Sequence, residues 1–222
     1  MNPPFGGKEG KEAQTRFAYK TGATQVLFLQ HVIDSLKPGG RCGIVLDEGV
    51  LFRTNESAFA QTKRKLLDEC DLWCLVSLPP GAFVNAGAGV KTNLLFFTRG
   101  KPTERIWYYD LSQIKVGKKT PLTLAHFEEF SRLLPARADG PQSWTVTRDA
   151  IDAKNYDLKA VNPNARADED LRSPEGLLDL IEAKGREVSE ALAALRTMTA
   201  PPHPALSPGG GEGESASPER RA

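Results

Sequence analysis

The chain has 222 residues, 40% of them hydrophobic and 26% charged, so it is long enough and apolar enough to bury a core. Its 29 Lys and Arg nearly balance its 28 Asp and Glu, and a net charge of +1 excludes a general attraction for nucleic acid, which leaves DNA contact to a local patch or a partner. No apolar run approaches the roughly 20 residues that span a bilayer, and three cysteines without a secretory signal favour reduced thiols. These features predict a soluble, cytoplasmic protein with no membrane segment.

The cysteines and histidines do not predict a metal site. A structural zinc ion needs four ligands at close spacing. Here the possible ligands are scattered along the chain, at Cys42, Cys70, Cys74, His31, His126 and His203. We therefore expect no bound metal.

Up to about residue 111, helical and extended patterns alternate. A polar, glycine-bearing loop over residues 5–22 is followed by a helix that Thr24 can cap and that Lys37-Pro38-Gly39-Gly40 ends. After it come, in order, a strand at Cys42–Leu46, a helix at Glu56–Cys70, and strands at Leu72–Leu78, Asn93–Thr98 and Ile106–Leu111. This order predicts an α/β layer with a β-hairpin at one edge.

Beyond residue 112 the pattern changes. A helix is predicted at Thr123–Leu134, an extended piece at Trp144–Thr147 and a long amphipathic helix at Leu177–Leu195, capped by Ser173. From Ala200 the composition is Pro, Gly, Ser and charges, which predicts disorder. We therefore expect a partial catalytic domain at 1–111, its extension at 112–172, a docking helix at 173–197 and a disordered tail at 198–222.

The sharpest chemical signal is Asn2-Pro3-Pro4-Phe5. The exocyclic amine of adenine is a poor nucleophile, because its lone pair is delocalised into the ring. An Asn side-chain oxygen and a proline backbone oxygen that accept the amine hydrogens can localise that pair. Two prolines hold such a loop rigid, and an aromatic ring can stack on a base that has left the duplex. The alternative is that the four residues form only a turn before a helix.

The segments that follow resemble the modification subunit of type I restriction-modification systems, an N6-adenine DNA methyltransferase family. The resemblance covers roughly residues 1–196. It is carried, in order, by Asn2-Pro3-Pro4-Phe5-Gly6, Leu36-Lys37-Pro38-Gly39-Gly40, Gly49-Val50-Leu51-Phe52, Leu78-Pro79-Pro80-Gly81-Ala82-Phe83, Gly89-Val90-Lys91-Thr92-Asn93 and Tyr156-Asp157-Leu158.

The resemblance implies the C-terminal half of a Rossmann-like methyltransferase sheet that uses S-adenosyl-L-methionine, followed by a helical extension. It implies that Asn2, Pro3, Pro4 and Phe5 hold the target base. DNA contacts are expected from Lys8, Lys11, Arg16, Lys20, Lys91, Thr92 and Asn93, with Phe83 near the base and Asp47 and Glu48 at a strand end. Implied partners are double-stranded DNA and the specificity, second modification and restriction subunits.

The family places its methyl-donor site before the catalytic motif, whereas here Met1 directly precedes Asn2. We therefore expect a fragment without the cofactor-binding residues, inactive alone, whose strand at Cys42–Leu46 is left as an apolar sheet edge. Two other readings stay open: a non-catalytic module that docks a specificity subunit through its long helix, and a decayed gene product.

Overall fold

The computed structural model describes residues 1–87, 89–164 and 173–199 and divides the chain into two compact units, Met1–Ala167 and Asp168–Ala222. The helices are α1 (Lys11–Gln14), α2 (Thr24–Ser35), α3 (Glu48–Phe52), α4 (Ser57–Glu69), α5 (Glu128–Leu133), α6 (Arg148–Asp152) and α7 (Pro174–Thr199), with 3-10 turns at Val84–Ala86 and Leu124–Phe127. The strands are β1 (Arg41–Asp47), β2 (Cys70–Ser77), β3 (Thr92–Arg99), β4 (Arg105–Asp110) and β5 (Ser143–Thr147). Of the tail predicted to be disordered over 198–222, Met198 and Thr199 belong to α7, which corrects the prediction there, and residues 200–222 lie outside the described residues.

The strands form one five-stranded sheet in the order β1-β3-β2-β4-β5. β3 is antiparallel to both neighbours, and β4 runs parallel to β2. β1, β2 and β4 therefore end at the same edge of the sheet, which is called the carboxyl edge below. The α/β class is confirmed, but one detail differs from the prediction, because the hairpin of β2 and β3 is not at an edge.

The position of β3 follows from its side chains, which are apolar towards both faces of the sheet. Leu95 and Phe97 are buried in the core beneath α2 and α4, and Leu94 and Phe96 pack into the core on the opposite face. A strand that is apolar on both faces is most stable in the interior of a sheet. Although β4 follows β3 after a short turn, β4 pairs with β2 and not with β3.

Residues beyond 112 complete the same sheet. β5 pairs with β4, and the Trp144 ring stacks on Tyr108 with centroids 5.3 Å apart. On the other face, Phe130 of α5 stacks on Trp107 at 5.6 Å. Over the described residues 112–164, the chain therefore packs as part of the first unit.

The start of the chain pairs with the outer side of β1. The Met1 ammonium group donates to the Gly43 carbonyl at 2.5 Å, and the Val45 amide donates to the Met1 carbonyl at 3.0 Å. These two bonds flank Ile44 in the pattern of a parallel ladder. Asn2 consequently leaves the sheet at its carboxyl edge.

Two predicted helix starts have different outcomes. Ser173 caps α7, since its hydroxyl accepts the Gly176 amide at 3.1 Å. Thr24 does not cap α2, because it is the first helical residue and its hydroxyl donates to the Glu9 carboxylate at 3.0 Å. Ala23 occupies the cap position without a side-chain hydrogen bond.

Candidate active site

The Asn2–Phe5 loop projects from the carboxyl edge of the sheet. Asn2 and Pro4 are exposed, Pro3 is buried and Phe5 is half-buried. The buried proline anchors the loop while the Asn2 amide stays accessible, and both prolines restrict the backbone around it. Asn2 does not face the interior of the protein, so its side chain is free to contact a ligand.

Two aromatic rings meet beside this loop. The rings of Phe5 and Phe83 lie 5.2 Å apart at an interplanar angle of 62°. Phe83 follows β2, so the contact brings the loop between β2 and β3 against the Asn2–Phe5 loop. The contact places Phe83 beside the Asn2–Phe5 loop, and its expected position near the target base stays a prediction.

A cavity of about 580 Å³ opens next to Phe5; it is called the base cavity below, because the resemblance predicts that Phe5 helps to hold the target base. It has walls from the start of the chain, from the turn after β1 and from the loop before β3. Its lining residues are Phe5, Gly6, Asp47, Glu48, Gly49, Phe52, Arg53, Gly87, Gly89, Val90 and Lys91. This volume is within the range of small-ligand pockets.

An ion pair joins two walls of the base cavity. Lys91 Nζ lies 2.9 Å from Glu48 Oε1, and the Glu48 amide also donates to the Lys91 carbonyl at 2.9 Å. Glu48 begins α3, directly after β1. The pair thus holds the loop between β2 and β3 against the end of β1, and it neutralises a lysine that was predicted to contact DNA.

A buried lysine supports the wall formed by Phe52 and Arg53. Lys63 is 1% exposed, and its Nζ donates to the carbonyls of Leu51 at 2.6 Å and Arg53 at 2.9 Å. Burial lowers the pKa of Lys63 to about 8, although nearby Asp157 opposes the shift. By tying down two carbonyls after α3, Lys63 fixes the backbone on either side of Phe52.

The predicted DNA-binding residues fall into three groups. Lys8 is exposed and lines a second cavity, of about 380 Å³, which lies next to the base cavity. Lys11, Arg16 and Lys20 are also exposed, but they line neither of these two cavities. Thr92 and Asn93 are both 0% exposed, because β3 is flanked by β1 and β2. This burial corrects the expectation for Thr92 and Asn93, since neither presents a surface that a DNA phosphate can reach.

Sequence reasoning did not identify Phe52 and Arg53 as site residues. Phe52 is 44% exposed, which is unusual for an aromatic residue at the end of an apolar run, and Arg53 lines both cavities. The available signal was their position just beyond the strand end at Asp47, where ligand-facing groups of open α/β sheets lie.

Within residues 1–87, 89–164 and 173–199, no cluster of three or more His, Cys, Asp or Glu side chains could hold a metal ion. Over the same residues, no helix combines the length and apolarity needed to cross a membrane. The adjacent glycines Gly39 and Gly40 lie between the end of α2 and the start of β1. They therefore do not form the glycine-rich turn from a strand into a helix that binds cofactors in open α/β sheets.

The open α/β sheet, with a rigid Asn-Pro-Pro-Phe loop and an aromatic-walled cavity at its carboxyl edge, is the architecture of a base-modifying methyltransferase. Comparison with known sequences agrees, because residues 1–170 match the profile of the N-6 DNA methylase family. The chain belongs to that family.

The similar proteins are methylase subunits of type I restriction enzymes. The chain is 35% identical over 211 residues to the EcoEI methylase subunit of Escherichia coli, and it spans 88% of its own length but 42% of that subunit. Among solved structures, a chain from a type I restriction-modification complex superposes with a TM-score of 0.70 at 40% identity, covering 89% of this chain and 44% of that one. The EcoKI M protein gives 0.63 at 28% identity, covering 92% and 50%. The chain thus spans less than half the length of the curated relatives it matches.

Proposed function

We propose that this chain forms the base-binding and catalytic part of an N6-adenine DNA methyltransferase, the modification subunit of a type I restriction-modification system. The observation that carries the proposal is the accessible Asn2–Phe5 loop at the carboxyl edge, with Phe5 against Phe83 beside a cavity of about 580 Å³. Family membership and the matched methylase subunits support the same substrate class.

The residues of the loop account for the chemistry. An adenine that has left the duplex enters beside Phe5 and stacks on an aromatic face. The Asn2 side-chain oxygen and a proline backbone oxygen accept the two amine hydrogens, and the lone pair localises on the nitrogen. S-adenosyl-L-methionine, when bound, supplies the methyl group. The prolines matter because acceptors fixed beforehand need no reorganisation during the reaction.

We infer that the methyl-donor site is formed by residues outside these 222, and that the chain alone neither binds S-adenosyl-L-methionine nor methylates DNA. The 42% coverage of the EcoEI subunit supports this. Full activity then requires a longer chain or a second polypeptide that supplies the cofactor-binding residues.

The proposed partners are double-stranded DNA and the specificity, second modification and restriction subunits, in the cytoplasm. A second candidate role, docking of a specificity subunit without catalysis, is favoured by α7. Along α7, Leu178, Ile181, Val188, Leu192 and Leu195 are all exposed. Successive members of this set are three, seven, four and three residues apart, which matches the seven-residue repeat, made of three- and four-residue steps, of a helix that packs against other helices.

The test combines this chain with the upstream part of a type I modification subunit and a specificity subunit, and measures tritiated methyl transfer from S-adenosyl-L-methionine to DNA adenine. The wild-type chain should restore transfer. Asn2→Ala should lower it by about a hundredfold or more, the order lost when one preorganised polar group is removed from an active site. Asn55→Ala, at an exposed asparagine, is the matched control and should keep transfer. Full activity of the Asn2→Ala chain would refute the proposal.

A further inference from the structure

A second cavity, of about 380 Å³, lies next to the base cavity and has no role in the proposed chemistry. The two cavities share Gly6, Asp47, Gly49 and Arg53. We propose that this second cavity is a phosphate cradle, which holds a phosphodiester group of the target DNA strand. The assignment to DNA rests on the proposed function, whereas the anion site itself does not.

The first observation is an unused donor on Gln25, which lines the cradle and is 2% exposed. Its Oε1 accepts the Asp47 amide at 3.0 Å, but its Nε2 makes no hydrogen bond to any described residue. A buried N–H group without a partner is costly, so one normally indicates a missing acceptor. The Asp47 bond fixes the orientation of the amide, so the group left without a partner is Nε2.

The second observation is the helix end on which Gln25 lies. The first residues of α2, Thr24 and Gln25, line the cradle, and α2 is 12 residues long. The amide groups at a helix N-terminus and the helix dipole both favour an anion. Gly7 lets the opposite wall approach, because its φ is +96° and a Cβ there would lie 2.8 Å from Thr24 Oγ1.

Two cations complete the donor set, Lys8 and Arg53. The Arg53 guanidinium lies over the Phe59 ring, 5.4 Å from its centroid, and Lys63 holds the Arg53 carbonyl. A guanidinium placed in this way is oriented before a ligand binds, which suits a phosphate. Lys8 adds charge from the loop that follows the catalytic motif.

The carboxylates around the cradle are already engaged. Asp47 Oδ1 accepts the Val50 amide at 3.0 Å, Glu9 accepts the Thr24 hydroxyl, and Glu56 lies 3.4 Å from Arg53. The Arg53–Glu56 pair is long and both side chains are about half exposed, so it contributes little stability. A phosphate would replace Glu56 as the partner of Arg53. The position beside the base cavity is where a phosphate flanking an extruded nucleotide would lie.

The anion site is tested on the full chain by titrating ¹⁵N-labelled protein with inorganic phosphate. We expect the Gln25 side-chain amide and the Thr24 backbone amide to shift together. Gln25→Glu keeps the acceptor for Asp47 but removes the donor and adds a negative charge, so the dissociation constant should rise about tenfold. Glu56→Gln should lower it, because Arg53 is freed. Lys101→Gln, an exposed lysine at the opposite edge of the sheet, is the control. If folded wild-type protein shows no phosphate-dependent shift, the cradle is refuted.

The source of the phosphate is tested in the reconstituted methyl-transfer assay. Neutral methylphosphonates are placed one at a time at the phosphates flanking the target adenine. One of them should raise KM about tenfold with the wild-type chain and have little effect with Gln25→Glu. Unchanged KM at every position, with methylation intact, would refute the DNA assignment and leave the proposed function standing. Absence of methylation on any DNA would refute the proposed function, while the titration still decides whether the anion site exists.

Discussion

We expect Phe83 to contribute to the proposed site through its ring, which meets Phe5 at 5.2 Å. Phe83→Leu keeps an apolar side chain but removes the aromatic face. Stacking of a base on an aromatic ring is worth about 1–3 kcal/mol, so binding of an extruded adenine should weaken about tenfold. The measurement is the fluorescence of 2-aminopurine at the target position, together with KM, in the reconstituted enzyme. Phe127→Leu, in a remote aromatic cluster, is the matched control. Unchanged fluorescence with Phe83→Leu would contradict the role of this ring.

Lys63 is expected to stabilise the wall behind Phe52. Lys63→Met fills similar space but leaves the carbonyls of Leu51 and Arg53 without their buried donor. An unsatisfied buried acceptor costs about 1–3 kcal/mol, and we expect a loss of about 2 kcal/mol in the free energy of unfolding. Urea denaturation measures it. Lys154→Met, at an exposed lysine, should stay within about 0.5 kcal/mol of wild type.

The same lysine predicts a pH dependence. Its pKa falls from 10.5 in the unfolded chain to about 8 in the folded protein, so between these values the unfolded state binds more protons. Stability from this site therefore rises with pH across that window. The advantage of wild type over Lys63→Met should grow by about 2 kcal/mol between pH 7.5 and 10. Cys70 and Cys74, whose pKa values burial raises to about 11 and about 12, act in the opposite direction but are common to both proteins. A constant difference across this range would show that Lys63 stays charged.

At the residue scale, the sequence identified the groups that carry a local signature and missed those that depend on tertiary contacts. Asn2-Pro3-Pro4-Phe5 is recognisable because the chemistry needs contiguous residues. Gln25 and Arg53 gain meaning only when α2 and α3 meet at one cavity. The sequence places Thr92 and Asn93 where a loop meets a predicted strand, yet β1 and β2 flank them in the sheet and both side chains are buried.

At the element scale, the strand positions were predictable and their order was not. The apolar runs of β1, β2 and β3 indicate buried strands without any knowledge of the fold. Local pattern does not encode which neighbour a strand takes, because insertion of β3 between β1 and β2 is decided by packing on both faces. The long helix α7 was predictable because its periodicity extends over 26 residues.

The apolar stripe of α7 leads to a prediction about docking. Leu178, Ile181, Val188 and Leu192 share one face with Gly185, where a Cβ would meet no other atom. Leu192→Lys places a charge on that face and should abolish capture of a specificity subunit in a pull-down. Glu190→Lys introduces the same charge on the polar side and should leave capture unchanged. Equal capture by both variants would exclude this face from the interface.

At the scale of the whole molecule, the carboxyl edge of the sheet carries the proposed base-binding loop, and Met1 pairs with β1, an outer strand. The Met1 bonds to Gly43 and Val45 set the direction in which a further strand would run, parallel to β1. A second polypeptide that supplies this strand and the cofactor residues would also cover an edge prone to non-native pairing. Co-expression with the upstream part of a modification subunit should therefore raise the soluble yield, and unchanged yield would count against that pairing.

Because the proposed donor site is formed by other residues, cofactor binding and methyl transfer can be measured separately. Isothermal titration of the chain alone with S-adenosyl-L-methionine should give no binding heat, because the proposed donor site is formed by other residues. The complex with the upstream part should bind, and the Asn2→Ala complex should bind about equally while failing to transfer the methyl group, since Asn2 acts on the adenine amine. Micromolar binding by the chain alone would show that a donor site is formed by these residues, and the division of labour proposed for this sheet would be wrong.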